Sequence, residues 1–238
     1  MIDRFDCIKK QKLNIILLVD VSKSMQGSRI KQVNEAITDI TKYLSNYEDE
    51  ISNIEFYLTV ITFGNTANYL NERKTVRIKD YSHEMIKVGG YSNLHLCYSL
   101  LDSVLEKESK GGIMSDFGGI APIIILLTDG HPTKGPYEEM LDKLKKKPWF
   151  KVALKYGIAV ELDDKLTMKI LRDFVGNSGD VISCYDSSLL KKIIKIVVVT
   201  SSKVNSQCSL ARSKESNQNE EAKVIVNRAL AEIDDWEW

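Results

Sequence analysis

The chain has no cysteine cluster. Its four cysteines, Cys7, Cys97, Cys184 and Cys208, are widely spaced and form no CxxC pair. This excludes the usual zinc and dithiol frameworks and fits a reducing, cytoplasmic compartment. Neither sign of charge is in surplus, since 33 Lys and Arg balance 33 Asp and Glu in 238 residues. Proteins that grip nucleic acid through its phosphates carry a basic excess, so nucleic acid is a poor partner for this chain. There is no long apolar run either. Leu13 to Val19 is short and ends on Asp20, and Ile193 to Val199 is interrupted by Lys195. A bilayer-spanning helix needs about 20 apolar residues. With no signal-peptide pattern at the N-terminus, the expectation is a soluble, cytoplasmic protein with no membrane partner.

Common catalytic signatures are also missing. The pairs Gly111-Gly112 and Gly118-Gly119 are not followed by the GK[ST] of a phosphate-binding loop, and no GxSxG elbow occurs. The three histidines, His83, His95 and His131, form no spaced ligand pair. His95 reads first as a helix-packing residue. The lysines at 143, 145, 146, 147 and 151 read as a solvated helix C-terminus, which the helix dipole favours.

The apolar pattern that is present alternates strands with helices. Leu13 to Val19 is almost continuously apolar, as in a strand buried on both faces of a parallel sheet. Ile30, Val33, Ile37, Ile40, Thr41 and Leu44 then recur at helical spacing from about Ser28. Further strands are expected at Ile54 to Phe63, Lys74 to Ile78, Ile123 to Thr128, Lys151 to Val160 and Val181 to Tyr185. Helices are expected at about Asn93 to Glu108, Tyr137 to Lys146 (ended by Pro148), Lys165 to Val175 (ended by Gly176) and Ser187 to about Thr200. The pattern predicts a doubly wound α/β domain over residues 10–200, with a mainly parallel sheet of about six strands, one antiparallel edge strand near 74–78, and helices on both faces. Residues 201–219 read as a polar linker. Residues 220–238 recover helical periodicity and end in the acidic, tryptophan-containing Asp234-Asp235-Trp236-Glu237-Trp238. That tail suits packing on the domain or docking on a partner equally well.

Two strands end on aspartates. Leu13 to Asp20 runs into Val21-Ser22-Lys23-Ser24, and Ile123 to Thr128 runs into Asp129-Gly130. Between them lies Gly89-Gly90-Tyr91-Ser92-Asn93-Leu94. Ligands of doubly wound sheets bind outside the carboxyl ends of strands, where strand order reverses. Carboxylates and hydroxyls gathered there, without an evident nucleophile or base, are the ligand chemistry of a hard divalent cation. Each segment alone is weak evidence, because aspartate and serine also cap helices and make turns.

Asp20-Val21-Ser22-Lys23-Ser24 resembles the DxSxS motif of von Willebrand factor A domains. Ser92 stands where that family usually has a threonine, and Asp129 in Leu127-Thr128-Asp129-Gly130 resembles its last motif. The similarity extends over roughly residues 10–200. It implies the Rossmann-like von Willebrand A fold and a metal-ion-dependent adhesion site (MIDAS), with the cation held by Asp20, Ser22, Ser24, Ser92 and Asp129 directly or through water. The implied ion is Mg²⁺, with Mn²⁺ or Ca²⁺ as alternatives, and an acidic residue of a protein partner completes its shell. The departures are Ser92 itself, which keeps the oxygen, and Tyr91 and His95 near positions where glycine is common. Thr128 to Thr133 is similar to the cytoplasmic bacterial TerY/YegL-like branch, although Lys134 stands where that branch often has aspartate. That resemblance implies a tellurite or stress-resistance system with a protein kinase and a PP2C-like phosphatase as partners. The expected activity is binding, not catalysis. The rivals are a Mg²⁺-dependent phosphohydrolase and a scaffold with a non-functional metal site.

Overall fold

The computed structural model describes residues 10–199, apart from 52, 131, 133, 134, 162, 163, 177–180, 187, 189, 193 and 196–198. Its sheet is doubly wound. Strands β1 (Gln11–Asp20), β2 (Ile54–Phe63), β3 (Ala67–Tyr69), β4 (Val76–Arg77), β5 (Ile123–Thr128), β6 (Leu154–Val160) and β7 (Val181–Cys184) stand in the order β3-β2-β1-β5-β6-β7, with β4 also on β2. β1 runs parallel to β2 on one side and to β5 on the other. Strand order reverses between β1 and β5, so their carboxyl ends open the crevice.

Alternation explains the layers. Leu13, Ile15, Leu17 and Val19 of β1 pack with helix α1 (Ser28–Glu50), while Ile16 and Leu18 pack with α2 (Leu94–Val104), α3 (Tyr137–Lys146) and α5 (Lys165–Val175). The same division separates Ile123, Ile125 and Leu127 of β5 from Ile124 and Leu126. A parallel strand covered on both faces has no polar side, hence the nearly unbroken apolar runs, with Asn14 the one polar residue between Leu13 and Val19. Asp164 caps α5, accepting from the backbone N–H groups of Leu166 (2.9 Å) and Thr167 (3.2 Å).

Four sequence expectations need revision. The antiparallel strand expected over 74–78 is present as β4, but it has company, since β3 also pairs antiparallel with β2. The helix expected to reach Glu108 stops at Val104. There the chain turns back, with Ile113 N–H bonding to Val104 O at 3.0 Å, and buries Ile113 and Met114. Pro148 ends α3 but also opens a short helix, α4 (Pro148–Val152), because the fixed φ of proline suits a first helical position. β6 therefore begins at Leu154, not Lys151. The basic run is less solvated than its composition suggests, since Lys147 pairs with Asp102 at 3.2 Å and with Glu106. The closing helix is described only in part, with residues 190–192 helical and Leu190 and Ile194 buried. The linker and tail beyond it lie outside the described residues, as do Cys7 and Cys208.

A buried carboxylate locks α1 to the sheet edge. Glu48 is fully buried and accepts from Phe56 N–H and from Arg77 Nη2, both at 2.8 Å. Glu48→Ala removes the acceptor of two groups at once, so urea denaturation should show a loss of about 2–4 kcal/mol. A change below about 1 kcal/mol would show that water replaces the lock.

Candidate metal centre

Asp20 is the last residue of β1, and Asp129 follows β5 directly. Val19 and Leu127 are register partners, so the two aspartates leave neighbouring strands at the same rim. The turn after β1 places Ser22 and Ser24. A second segment lies against it, with Gly89 N–H bonding to Val21 O (2.8 Å) and Lys23 N–H to Gly90 O (3.1 Å). Gly90 is required there. Its φ is +85°, and a Cβ would overlap the Asn65 amide, whose Oδ1 accepts from Tyr91 N–H. Upstream, Asn34 of α1 holds the same segment, its Oδ1 accepting from Ile86 N–H and bonded to His83 Nε2, both at 2.8 Å. These contacts carry Ser92 to the crevice.

One hydrogen-bonded chain links the five side chains singled out by the sequence. Ser92 Oγ donates to Asp20 Oδ2 (3.0 Å), and Ser22 N–H donates to Asp20 Oδ1 (2.8 Å). Ser22 Oγ and Ser24 Oγ are 3.0 Å apart, and Ser24 Oγ donates to Asp129 Oδ1 (2.8 Å). Asp20, Ser22, Ser92 and Asp129 are buried, and Ser24 is exposed at the mouth.

The sequence reading passed over Thr128, Arg29 and Glu161. Thr128 Oγ1 donates to Asp20 Oδ2 at 2.8 Å, so Asp20 accepts three hydrogen bonds. Arg29, in the first turn of α1, donates from Nη1 to Asp129 Oδ2 (2.6 Å) and to Ser24 O (3.0 Å). Glu161, just beyond β6, pairs with Arg29 Nε at 3.4 Å. Glu161 shared one available signal with the two aspartates: it too sits at the carboxyl end of a parallel strand. His95 is not in the hydrogen-bonded chain. It lies in the first turn of α2 with its ring against Gly135, where a Cβ would overlap it. His131, Thr133 and Lys134 lie outside the described residues.

Burial pushes the Asp20 carboxyl above its ordinary range, and hydrogen bonds from Ser22, Thr128 and Ser92 oppose that shift. Cys97 is fully buried, and burial together with the Asp20 charge pushes its thiol well above its ordinary range. Among the described residues no group of three or more His, Cys, Asp or Glu side chains is arranged to hold a metal. The candidate centre instead combines two carboxylates with hydroxyls, a hard-oxygen set. No helix among the described residues is long and apolar enough to cross a membrane.

A doubly wound, mainly parallel sheet with an oxygen-lined crevice at its switch point defines an α/β domain of the Rossmann-like class. The chain belongs to the von Willebrand factor type A domain family, whose model matches residues 14–196. It is 29% identical over 133 residues to inter-alpha-trypsin inhibitor heavy chain H1 of Sus scrofa, a match covering 54% of this chain and 14% of that protein. It is 31% identical over 144 residues to heavy chain H2 of Homo sapiens, covering 60% of this chain and 14% of that protein. The chain thus matches about one-seventh of the length of these curated relatives. Among solved structures, a von Willebrand factor type A protein from Catenulispora acidiphila aligns with a TM-score of 0.57 at 15% identity, covering 80% of this chain and 43% of that one. Proximal thread matrix protein 1 of the mussel byssus, solved with a zinc-occupied MIDAS motif, aligns with a TM-score of 0.56 at 19% identity, covering 80% and 48%. Structural likeness at these identities shows the fold.

The raised Asp20 pKa makes stability depend on pH. Between its ordinary 3.8 and the raised value, the folded state binds more protons than the unfolded one, so this group's contribution falls as pH rises through that window. Asp20→Asn removes that slope. In chelator, the difference in unfolding free energy between variant and wild type should therefore grow in the variant's favour from pH 4 upward. A constant difference would show that Asp20 is not held under a desolvation penalty.

Proposed function

We propose that this domain binds proteins through a divalent cation held by Asp20, Ser22, Ser24, Ser92 and Asp129. The observation that carries the reading is the spacing of the oxygens. In an octahedron with metal–oxygen bonds of about 2.1 Å, adjacent ligands are about 3.0 Å apart. Ser22 Oγ and Ser24 Oγ are separated by 3.0 Å, Ser24 Oγ and Asp129 Oδ1 by 2.8 Å, and Ser92 Oγ and Asp20 Oδ2 by 3.0 Å. The same distances serve hydrogen bonds in the metal-free form, so the spacing of the donors is compatible with an ion. Mg²⁺ is the first choice, because the set is all oxygen and small, and Mn²⁺ and Ca²⁺ share that chemistry. The zinc in the MIDAS motif of the mussel protein supports a divalent ion at this place in the fold.

When bound, the ion supplies a positive charge at an exposed mouth. Asp20 and Asp129 hold and largely neutralise it, Ser22 and Ser92 line its buried side, and Ser24 lies at the opening. A partner's carboxylate is the natural ligand for such a charge. Binding is favoured over catalysis because, among the described residues, the cationic group bonded to this hydrogen-bonded chain is Arg29, which cannot act as a base. The names of the relatives, inhibitor heavy chains and a thread matrix protein, are consistent with binding. The finer placement is cytoplasmic, in a tellurite or stress-resistance system beside a protein kinase and a PP2C-like phosphatase. It rests on the resemblance around Thr128 to Thr133, and the neighbouring genes are its test.

Titration calorimetry with MgCl₂ and MnCl₂ tests the centre. Wild type should bind one ion and, at about 100 times the dissociation constant, gain about 2.7 kcal/mol of stability. Asp20→Ala and Ser24→Ala should lose both effects. Parallel phosphatase and ATPase assays address the rival activity. Metal-dependent turnover that disappears in Asp20→Ala would replace the adhesion reading with a phosphohydrolase, and absence of any heat would identify a scaffold with a non-functional site.

A further inference from the structure

Among the described residues, the group closest to Asp129 is a cation that the protein itself supplies. Arg29 Nη1 lies 2.6 Å from Asp129 Oδ2 and donates to Ser24 O at 3.0 Å. Its Nε lies 3.4 Å from Glu161 Oε2, and its Nη2 donates to Glu161 O at 3.4 Å. Each guanidinium nitrogen therefore faces an acceptor, and the side chain bridges two carboxylates from different strand ends. Asp129 is fully engaged by Ser24 and Arg29, although its side chain is wholly buried.

Glu161 is prepared for this role at a cost. It adopts φ +52°, a left-handed conformation that a non-glycine residue holds under strain. Its N–H is fixed by Cys184 O at 2.7 Å, and its carboxylate also accepts from Ser28 Oγ (2.9 Å) and from Gln32. Three residues from the start of α1, Ser28, Arg29 and Gln32, thus converge on one strained residue. That carboxylate lies within reach of Arg29 Nε at 3.4 Å, so the guanidinium has a second acidic partner at hand.

We propose that Arg29 is an internal rival of the divalent cation for Asp129, and that Glu161 receives the guanidinium when the cation binds. This rests on the metal reading above and adds a mechanism that sets affinity. In the metal-free protein, Arg29 neutralises Asp129 and keeps it and Ser24 in place. Metal entry requires Arg29 to give up Asp129 and lean on Glu161. The site then exchanges one cation for another, which weakens metal binding but spares the empty site an uncompensated charge on the buried Asp129.

The test is calorimetry with MgCl₂ and MnCl₂ on wild type, Arg29→Gln and Glu161→Gln, each checked for folding by circular dichroism and thermal melting in chelator. Removing the rival should tighten metal binding roughly tenfold, the size expected for one charge a few ångströms from a divalent ion near the surface. Removing the receiving carboxylate should weaken it by a similar factor. A simple structural brace predicts otherwise, because losing it would loosen the ligands and weaken binding in Arg29→Gln. Wild type that binds metal with Arg29→Gln equal or weaker overturns the rivalry and leaves the metal reading standing. Binding seen only in Arg29→Gln supports it. Glu161→Gln that binds as tightly as wild type, or more tightly, removes Glu161 from the mechanism. If neither wild type nor Arg29→Gln binds an ion, both this inference and the metal reading fall. Should Arg29→Gln fail to fold, Glu161→Gln decides by its direction.

Discussion

Two buried carboxylates at the ends of adjacent parallel strands are the constraint around which the crevice is built. Asp20 and Asp129 are both shielded from water, and neither can stay charged there without compensation. The protein solves the two cases differently. Asp20 receives three hydrogen bonds from neutral donors, Ser22, Ser92 and Thr128. Asp129 receives a full positive charge from Arg29. The loops that deliver these groups come from β1, α1, β5 and the segment before α2, so compensating the two charges also joins the elements around the rim.

The same arrangement explains why a binding site is a local weakness in the fold. Burial disfavours the charged form of Asp20, and hydrogen bonds only partly offset the penalty. A strained Glu161 completes the ion-pair network. Natural proteins accept such costs where function needs charge, and the cation proposed for this crevice would relieve them. The apolar sheet supplies the rigidity that makes this tolerable. β1 and β5 are buried on both faces along their lengths, so their ends are fixed even though the residues placed there are unfavourable.

Much of this was legible in the chain. Continuous apolar runs at 13–19 and 123–128 marked strands with two covered faces, and helical spacing from Ser28 marked α1. The features that escaped were those where one residue type serves two purposes. Pro148 stops one helix and starts another, and its sequence neighbours alone do not distinguish the roles. The end of α2 was set by Ile113 and Met114 folding back over it, a demand that arises in the core rather than in the helix itself. The short β3 escaped because three residues carry no periodicity. At the site, Thr128 was hidden by its place in an apolar strand, and Arg29 looked like an ordinary polar residue on an exposed helical turn.

The amino-acid sequence by itself determined the alternation of strands and helices, the parallel sheet, and the identity of oxygen-bearing residues at the strand ends, because these follow from local periodicity and short motifs. Only the tertiary structure decided which charges meet. Arg29 and Asp129 are 100 positions apart, and Arg29 and Glu161 are 132 apart. Whether a guanidinium rests on one carboxylate or bridges two depends on the strand order and on where α1 begins relative to β5 and β6, and distances of that kind are set by packing rather than by spacing along the chain.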